Sequence, residues 1–295
     1  NWLEDSGSDD SHGRALWALG MILGRSTTPA LHDMAGRVFQ QSLLAILETS
    51  SPRAWAFALI GIHEYLKRFA GDRRVSQVQE ELAGRLLSLY KDNQREGWNW
   101  FEDKLTYCNA SLSHAMLLCG ESIPNPEMTN IGLESLGWLA DIQRSDTEGK
   151  HFVPIGSNGF YPRGGERARF DQQPVEAQAM VSTCLEAYRI TGKKIWQMEA
   201  RRAFEWFLGR NDLHLPVYDP TTGGCRDGLH PDRVNENQGA ESTLAFLQSL
   251  LELRLAENIE ESHEHSHNEQ SPNKSISTPH VEPHPDSRKL ALSSQ

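Results

Sequence analysis

The sequence predicts an all-α fold, a two-layer ring of antiparallel helical hairpins, and three observations carry that prediction. Apolar residues recur at helical spacing through nine stretches, at about 11–24, 29–48, 51–69, 75–93, 106–119, 126–144, 173–191, 193–209 and 236–256. The stretches alternate between two kinds, one apolar on nearly every face and one apolar along a single stripe. The connections between them alternate too, short and then long. No segment alternates apolar and polar residues as a half-buried strand would.

The first stretch contains ALWALGMIL (15–23) and the third AWAFALIGI (54–62); a helix apolar all round is buried on all sides. The fourth carries Val75, Val78, Leu82, Leu86 and Leu89 along one side, with Gln77, Gln79, Glu80, Glu81 and Arg85 mostly on the other, so one face is buried and one wet. Odd-numbered helices then form an inner layer and even-numbered helices an outer one. A long repeat solenoid would give the same alternation. The seventh stretch opens with Pro174, which suits a first helical turn.

Inner-to-outer connections are short: 25–28, 70–74, 120–125 and Gly192. The outer-to-inner connections 94–105, 145–172 and 210–235 are long and rich in Gly, Trp and charge, and the opening segment 1–10 joins them. Antiparallel hairpins place every outer-to-inner loop at the same end, so these four segments are expected to converge where function usually resides.

Composition narrows the classes. With 295 residues and 38% hydrophobic content, the chain can bury a domain-sized core, read as one domain over 1–256 and a disordered polar tail over 257–295, where apolar residues become sparse. The 40 acidic against 29 basic side chains give a formal charge of −11, which disfavours nucleic acid and anionic membranes as partners. There is neither a long apolar run nor a basic leader, so the expected compartment is the cytoplasm. The chain begins at Asn1 rather than Met and enters its first motif at once, and is read as a piece of something longer. Cys108, Cys119, Cys184 and Cys225 are scattered, with no CxxC pair, and read as buried small apolar residues rather than as a disulfide framework or zinc site. No metal and no cofactor is expected.

Four clusters carry candidate chemistry. The first, Glu4, Asp5, Ser8, Asp9, Asp10, Ser11, His12 and Arg14, holds more carboxylates than helix capping needs. Trp98, Trp100, Phe101, Glu102 and Asp103 combine flat rings, which stack on sugar faces, with acids that bind hydroxyls; a Trp packed over a loop is equally ordinary. The third holds Arg163, Glu166, Arg167, Arg169, Asp171 and Glu176, where arginines either orient carboxylates or merely close a loop with ion pairs. Glu176 alternatively completes a capping box with Gln173. The fourth adds Asp219, Arg226, Asp227, His230, Asp232, Arg233, Glu236 and Glu241; Gly223, Gly224 and Gly228 mark turns, not a phosphate loop, because no strand precedes them. Carboxylates at the mouth of a ring, mixed with Trp, Tyr, His and Arg, fit glycosidic chemistry, in which one acid stays protonated and another ionised.

The strings WLEDSGSDDSHGRALWALG, SPRAWAFALIGIHEYL, WNWFEDKLTYCNASLSHAMLL, RGGERARFDQQPVEAQAM and VYDPTTGGCRDGLHPDRVNENQGAESTLAF resemble a bacterial family known as glycosyltransferase-associated, from Asn1 to about Leu253. The resemblance implies an (α/α)6-type toroid similar to six-hairpin glycosidases, found alone or behind a nucleotide-sugar transferase domain. Relatives carry an upstream segment with a D-D-N-A-R-A-L string, similar to 9–16 here. Its absence implies a toroid incomplete at the N-terminus, since nine helices fall short of the twelve of six hairpins. With no strand–helix alternation and no Gly-rich nucleotide site, donor-sugar machinery would belong to another domain or a partner glycosyltransferase.

The expected partner is an oligosaccharide or glycan. Asp103, Asp171 and Glu176 are the candidates for acid and base roles, with Glu236 and Glu241 in reserve. Asp10, His12, Arg14, Trp100, Glu102, Arg163, Glu166, Arg226, Asp227 and His230 are expected to line the cleft. The rival expectations are a non-catalytic glycan-binding module, a sugar isomerase or epimerase using His12, His114 or His230, and loops that only stabilise an oligomer.

Overall fold

Helices dominate the computed structural model, which describes residues 7–147 and 149–269. They are α1 (Asp9–Arg25), α2 (Pro29–Ser42), α3 (Pro52–Arg68), α4 (Arg73–Asn93), α5 (Ala110–Ser122), α6 (Pro126–Ile142), α7 (Pro174–Thr191), α8 (Lys194–Glu205) and α9 (Ala240–Glu269). Short 3-10 turns, Leu43–Glu48 and Trp206–Leu208, extend α2 and α8. Local chemistry sets the starts. Ser8, Ser51, Asp72 and Asn125 each accept a first-turn N–H, and Pro29, Pro52, Pro126 and Pro174 occupy first turns, where a missing N–H costs nothing. Gly192 ends α7 at φ 65, a left-handed conformation that a side chain would strain.

The two kinds of helix are observed. Residues 56–65 of α3, the run from Ala110 to Cys119 of α5 (His114 excepted) and 174–184 of α7 are buried throughout, while α4 buries a stripe through Val75, Val78, Leu82 and Leu86. The inner helices α1 and α3 lie very close. A Cβ on Gly20 would stand 2.1 Å from the Gly61 carbonyl oxygen, and one on Gly13 would stand 2.6 Å from that of Ala54, so backbone meets backbone along this contact.

All-round burial was expected of every odd-numbered helix and fails for the first and last. α1 buries only Gly13, Leu16, Gly20 and Leu23. α9 leaves Leu244, Leu247, Leu251 and Leu255 exposed along one face. Periodicity reports how apolar a helix is, not whether a neighbour covers it.

Three further differences concern the loops and the last helix. Four two-residue strands form among the described residues, β1 (Lys104–Leu105) with β2 (Tyr161–Pro162) and β3 (Gly228–Leu229) with β4 (Val234–Asn235), both antiparallel. They are too short for a sequence alternation to register. α5 starts at Ala110, later than expected, because 106–109 form a turn. The first compact unit ends at Ala256, but α9, expected to stop near 256, continues to Glu269. The extension 257–269 is rich in Glu, which favours helix even without an apolar face to bury. No helix among the described residues is long and apolar enough to cross a membrane. All four cysteines are buried and free.

Candidate functional site

The N-terminal ends of α1, α3, α5 and α7 meet, and the turn 107–109 is where they are joined. Arg53, in the first turn of α3, is 3% exposed and donates to the Tyr107 carbonyl, to Asn109 Oδ1 at 3.1 Å and to Glu102 Oε2 at 2.7 Å. The Tyr107 hydroxyl donates to Asp10 Oδ1 at 2.9 Å, and Arg14, one turn along α1, donates to Asp10 Oδ2 at 2.7 Å. Glu176, in the first turn of α7, accepts the backbone N–H groups of Cys108 and Asn109 and the Asn109 side-chain amide. Cys108 takes a left-handed backbone, φ 48, which turns successive N–H groups toward that carboxylate. Glu241, in the first turn of α9, is exposed and lies within electrostatic reach of Arg14.

The electrostatics follow from burial. Glu176 is 2% exposed, and burial pushes its carboxyl up to about 7 against the pull of the Cys108 and Asn109 N–H groups and of Arg53. Tyr107 is pushed up to about 12, first by burial and then by Asp10. A buried acid that changes charge near neutrality thus shares one three-residue turn with a carboxylate ion-paired to Arg14. Burial and ion pairing set two acids joined by the same turn in opposite charge environments.

The long loops reach the same end. Gln172 and Leu229 exchange backbone hydrogen bonds at 2.9 and 3.0 Å, tying the loop before α7 to the loop before α9. Beside this bridge Asp171 Oδ1 lies 2.7 Å from His230 Nδ1, both partly exposed. β1 and β2 join the loops before α5 and α7. A groove of about 530 Å³ lined by Trp55, Glu80, Glu81 and Asp92 among others runs along α4 and shares no residue with this mouth.

The architecture is that of the six-hairpin glycosidase-like toroids. Similar solved structures include an unsaturated glucuronyl hydrolase specific for heparin (14% identity, TM-score 0.59, covering 83% of this chain and 66% of that one). Others are the GH76A α-1,6-mannanase from Salegentibacter sp. HEL1_6 (12%, 0.58, 86% and 78%) and a sugar epimerase from a ruminal bacterium (12%, 0.56, 86% and 75%). At these identities the likeness establishes the fold, and this chain spans about two thirds to three quarters of each neighbour's length. No protein-family model and no curated protein matches the sequence.

Within this toroid the expected site residues separate into three groups. Asp10, Arg14, Glu102 and Glu176 belong to the assembly that the turn joins, Glu241 stands within electrostatic reach of it, and Asp171 and His230 form the adjacent bridge. A second group is occupied with structure. Asp227 accepts from Gly239 N–H at 2.8 Å, Ser242 Oγ at 2.6 Å and Asn237, and so caps α9; Arg226 spans Asp219 and Glu236 at 3.2 and 2.8 Å. The third group lies elsewhere and corrects the expectation. Trp100 is 0% exposed, its ring against Phe101 and Trp138, so it is core and cannot stack on a sugar. His12 bonds the Ser42 carbonyl at 3.0 Å, in the outer layer. Asp103, Arg163 and Glu166 are exposed on and beside the β1–β2 pair, where the Arg163 side chain donates to the Asn93 carbonyl that ends α4. Asp103 adjoins Glu102 in sequence, yet across the bend at 101–103 one is exposed and the other reaches Arg53.

Glu4 and Asp5 lie outside the described residues. Sequence reasoning missed Arg53, Tyr107 and Asn109. One signal was present: an arginine inside a helix apolar all round must be buried against a partner.

Proposed function

We propose that this chain is a carbohydrate-active toroid whose mouth binds and acts on an oligosaccharide or glycan. The observation that carries the reading is the turn 107–109, which ties Asp10 of α1, Arg53 of α3 and Glu176 of α7 into one polar assembly at the joint start of the inner helices. Hydroxyl-rich ligands suit such a surface, since each sugar hydroxyl both donates and accepts. In this reading the Asp171–His230 pair passes a proton to the leaving glycosidic oxygen as water adds to the anomeric carbon, and takes back the proton that this water loses. Glu176 is a positioning residue that holds the turn carrying Tyr107, and through it Asp10. The named activities of the fold neighbours described above, on heparin, on α-1,6-mannan and on a sugar, favour the same class.

Two finer features belong to the proposal. The exposed Leu stripe of α9 and the half-covered α1 suit an additional helical hairpin that completes the ring. A glycosyltransferase domain or partner supplies the glycan, in the cytoplasm.

Thermal shift against an oligosaccharide panel, followed by product analysis, tests the reading. Asp171→Asn is expected to abolish turnover, by 100-fold or more as a rough figure for a lost acid–base group, while ligand-induced stabilisation persists. Unchanged turnover removes the assignment; binding without any turnover in the parent chain makes the domain a glycan-binding module. The Asp171–His230 contact, 2.7 Å, also favours a second reading, a sugar epimerase. Proton exchange into a free monosaccharide in deuterated water, with no bond cleaved, selects it.

A further inference from the structure

We infer that the glycan taken at the mouth carries no acidic groups and is built of neutral hexose units rather than uronate or sulfated sugars. The inference rests on the glycan reading above and adds the charge class of the ligand. Recognising a carboxylate or sulfate takes a cation with donors to spare, and the cations of the turn assembly and of the loops bridged beside it are engaged. Arg14 holds Asp10 at 2.7 Å, its guanidinium 4.5 Å over the Phe57 ring. Arg53 is divided among Tyr107, Asn109 and Glu102. His230 faces Asp171 at 2.7 Å, Arg226 spans Asp219 and Glu236, and Arg169 grips Asp212 through two bonds of 2.8 Å.

Cations on the adjoining loops that face no carboxylate include three with other contacts. Lys104 lies 4.9 Å over the Phe160 ring. The Arg163 and Arg167 side chains donate to the carbonyls of Asn93 and Ile142, the last residues of α4 and α6, where the negative end of a helix draws a cation.

The carboxylates are in surplus. Glu176 is held by amide N–H groups and Asp227 by amides and a hydroxyl, and Glu241 is exposed. An anionic ring placed beside Asp10 or Glu241 meets like charge where water is partly excluded, which repels the wrong ligand strongly.

The test is calorimetric titration of the full chain with neutral hexose oligosaccharides and with matched uronate and sulfated oligosaccharides, each at low and high salt. Neutral ligands are expected to bind at least about tenfold tighter than any charged set, with an affinity that salt leaves unchanged. Asp10→Asn, which releases Arg14, is expected to raise uronate affinity severalfold. Glu241→Gln, an exposed change in the first turn of α9, is expected to act in the same direction. Tighter binding of a charged set, or salt-sensitive binding of the preferred ligand, overturns the inference. Binding of none of the sets overturns the glycan reading itself, a distinct result, and the inference falls with it.

Discussion

The two ends of the inner helices are both polar, yet their carboxylates are handled in opposite ways. At the C-terminal end, charges tie helix to helix. Glu64 of α3 receives Arg25 of α1 at 2.7 and 2.9 Å and Lys67 at 2.8 Å, and Arg189 of α7 binds Glu186 and reaches Glu121 of α5. These pairs overcome burial and hold Glu64 down at about 2, and Glu186 also below the usual carboxylate range. At the N-terminal end Glu176 meets amide donors instead, and burial lifts it to about 7. Full cationic partnership marks a carboxylate that fastens the ring; a buried one left with neutral donors is free to change charge near neutrality. Glu252 stands between the two. Burial raises it, and its close partner is a neutral hydroxyl, Ser182 Oγ at 2.5 Å, with Arg25 acting through space.

The harshest way to break this comparison is to disturb both ends at once. Gly61→Ala sets a Cβ 2.4 Å from the Leu16 carbonyl oxygen and 2.7 Å from the Trp17 Cα. Backbone cannot yield as a side chain does, so α1 and α3 must separate, at a cost of about 3 kcal/mol or more. Denaturant unfolding is expected to record that loss, with ligand binding at the mouth lost alongside it. A folded, fully stable Gly61→Ala chain would mean that the two helices do not cross so closely.

Titration sharpens the comparison, because the two glutamates act with opposite sign. Glu176 lies at about 7 in the fold against an ordinary 4.5, so the folded chain binds the extra proton. Its stabilising contribution is complete below about 4.5 and is lost as pH rises through 7, a span of about 3 kcal/mol. Glu176→Gln is expected to flatten that part of the stability profile. Glu64 lies at about 2 against 4.5, so its contribution is present above 4.5 and lost as pH falls toward 2. With its partners Arg25 and Lys67 more than half exposed, screening reduces this to about 1–2 kcal/mol. Glu64→Gln therefore destabilises at pH 7 and matches the parent in strong acid. Parallel pH profiles for the two variants would erase the distinction between the ends.

Much of this geometry was legible in the sequence, and the reason it stops where it does is physical. Alternating apolarity gives the layers, and alternating loop length gives the end at which Asp10, Glu102, Asp171 and Glu176 gather. Both are properties of segments, which a one-dimensional pattern retains. The direction of a single side chain is not. Trp100 and Glu102 lie two residues apart, yet one is sealed against Trp138 and the other reaches Arg53. Tyr107, Cys108 and Asn109 read as the start of a helix, and only the left-handed turn at Cys108 makes them the hub of the mouth. The open faces of α1 and α9 were hidden for a third reason, since burial depends on what else packs there.

The smallest expected effect is also the most discriminating for the mouth. Asp103 and Asp10 are both aspartates in candidate clusters, but Asp103 is exposed beside β1 whereas Asp10 accepts from Tyr107 and Arg14. Asp103→Asn is expected to change stability by less than about 0.5 kcal/mol and to leave glycan binding untouched in a side-by-side titration with Asp10→Asn. Equal losses in the two variants would move the site outward onto the β1–β2 loops. The shared turn at 107–109 would then be scaffolding, because nothing in its hydrogen bonding connects it to the Asp103 side chain.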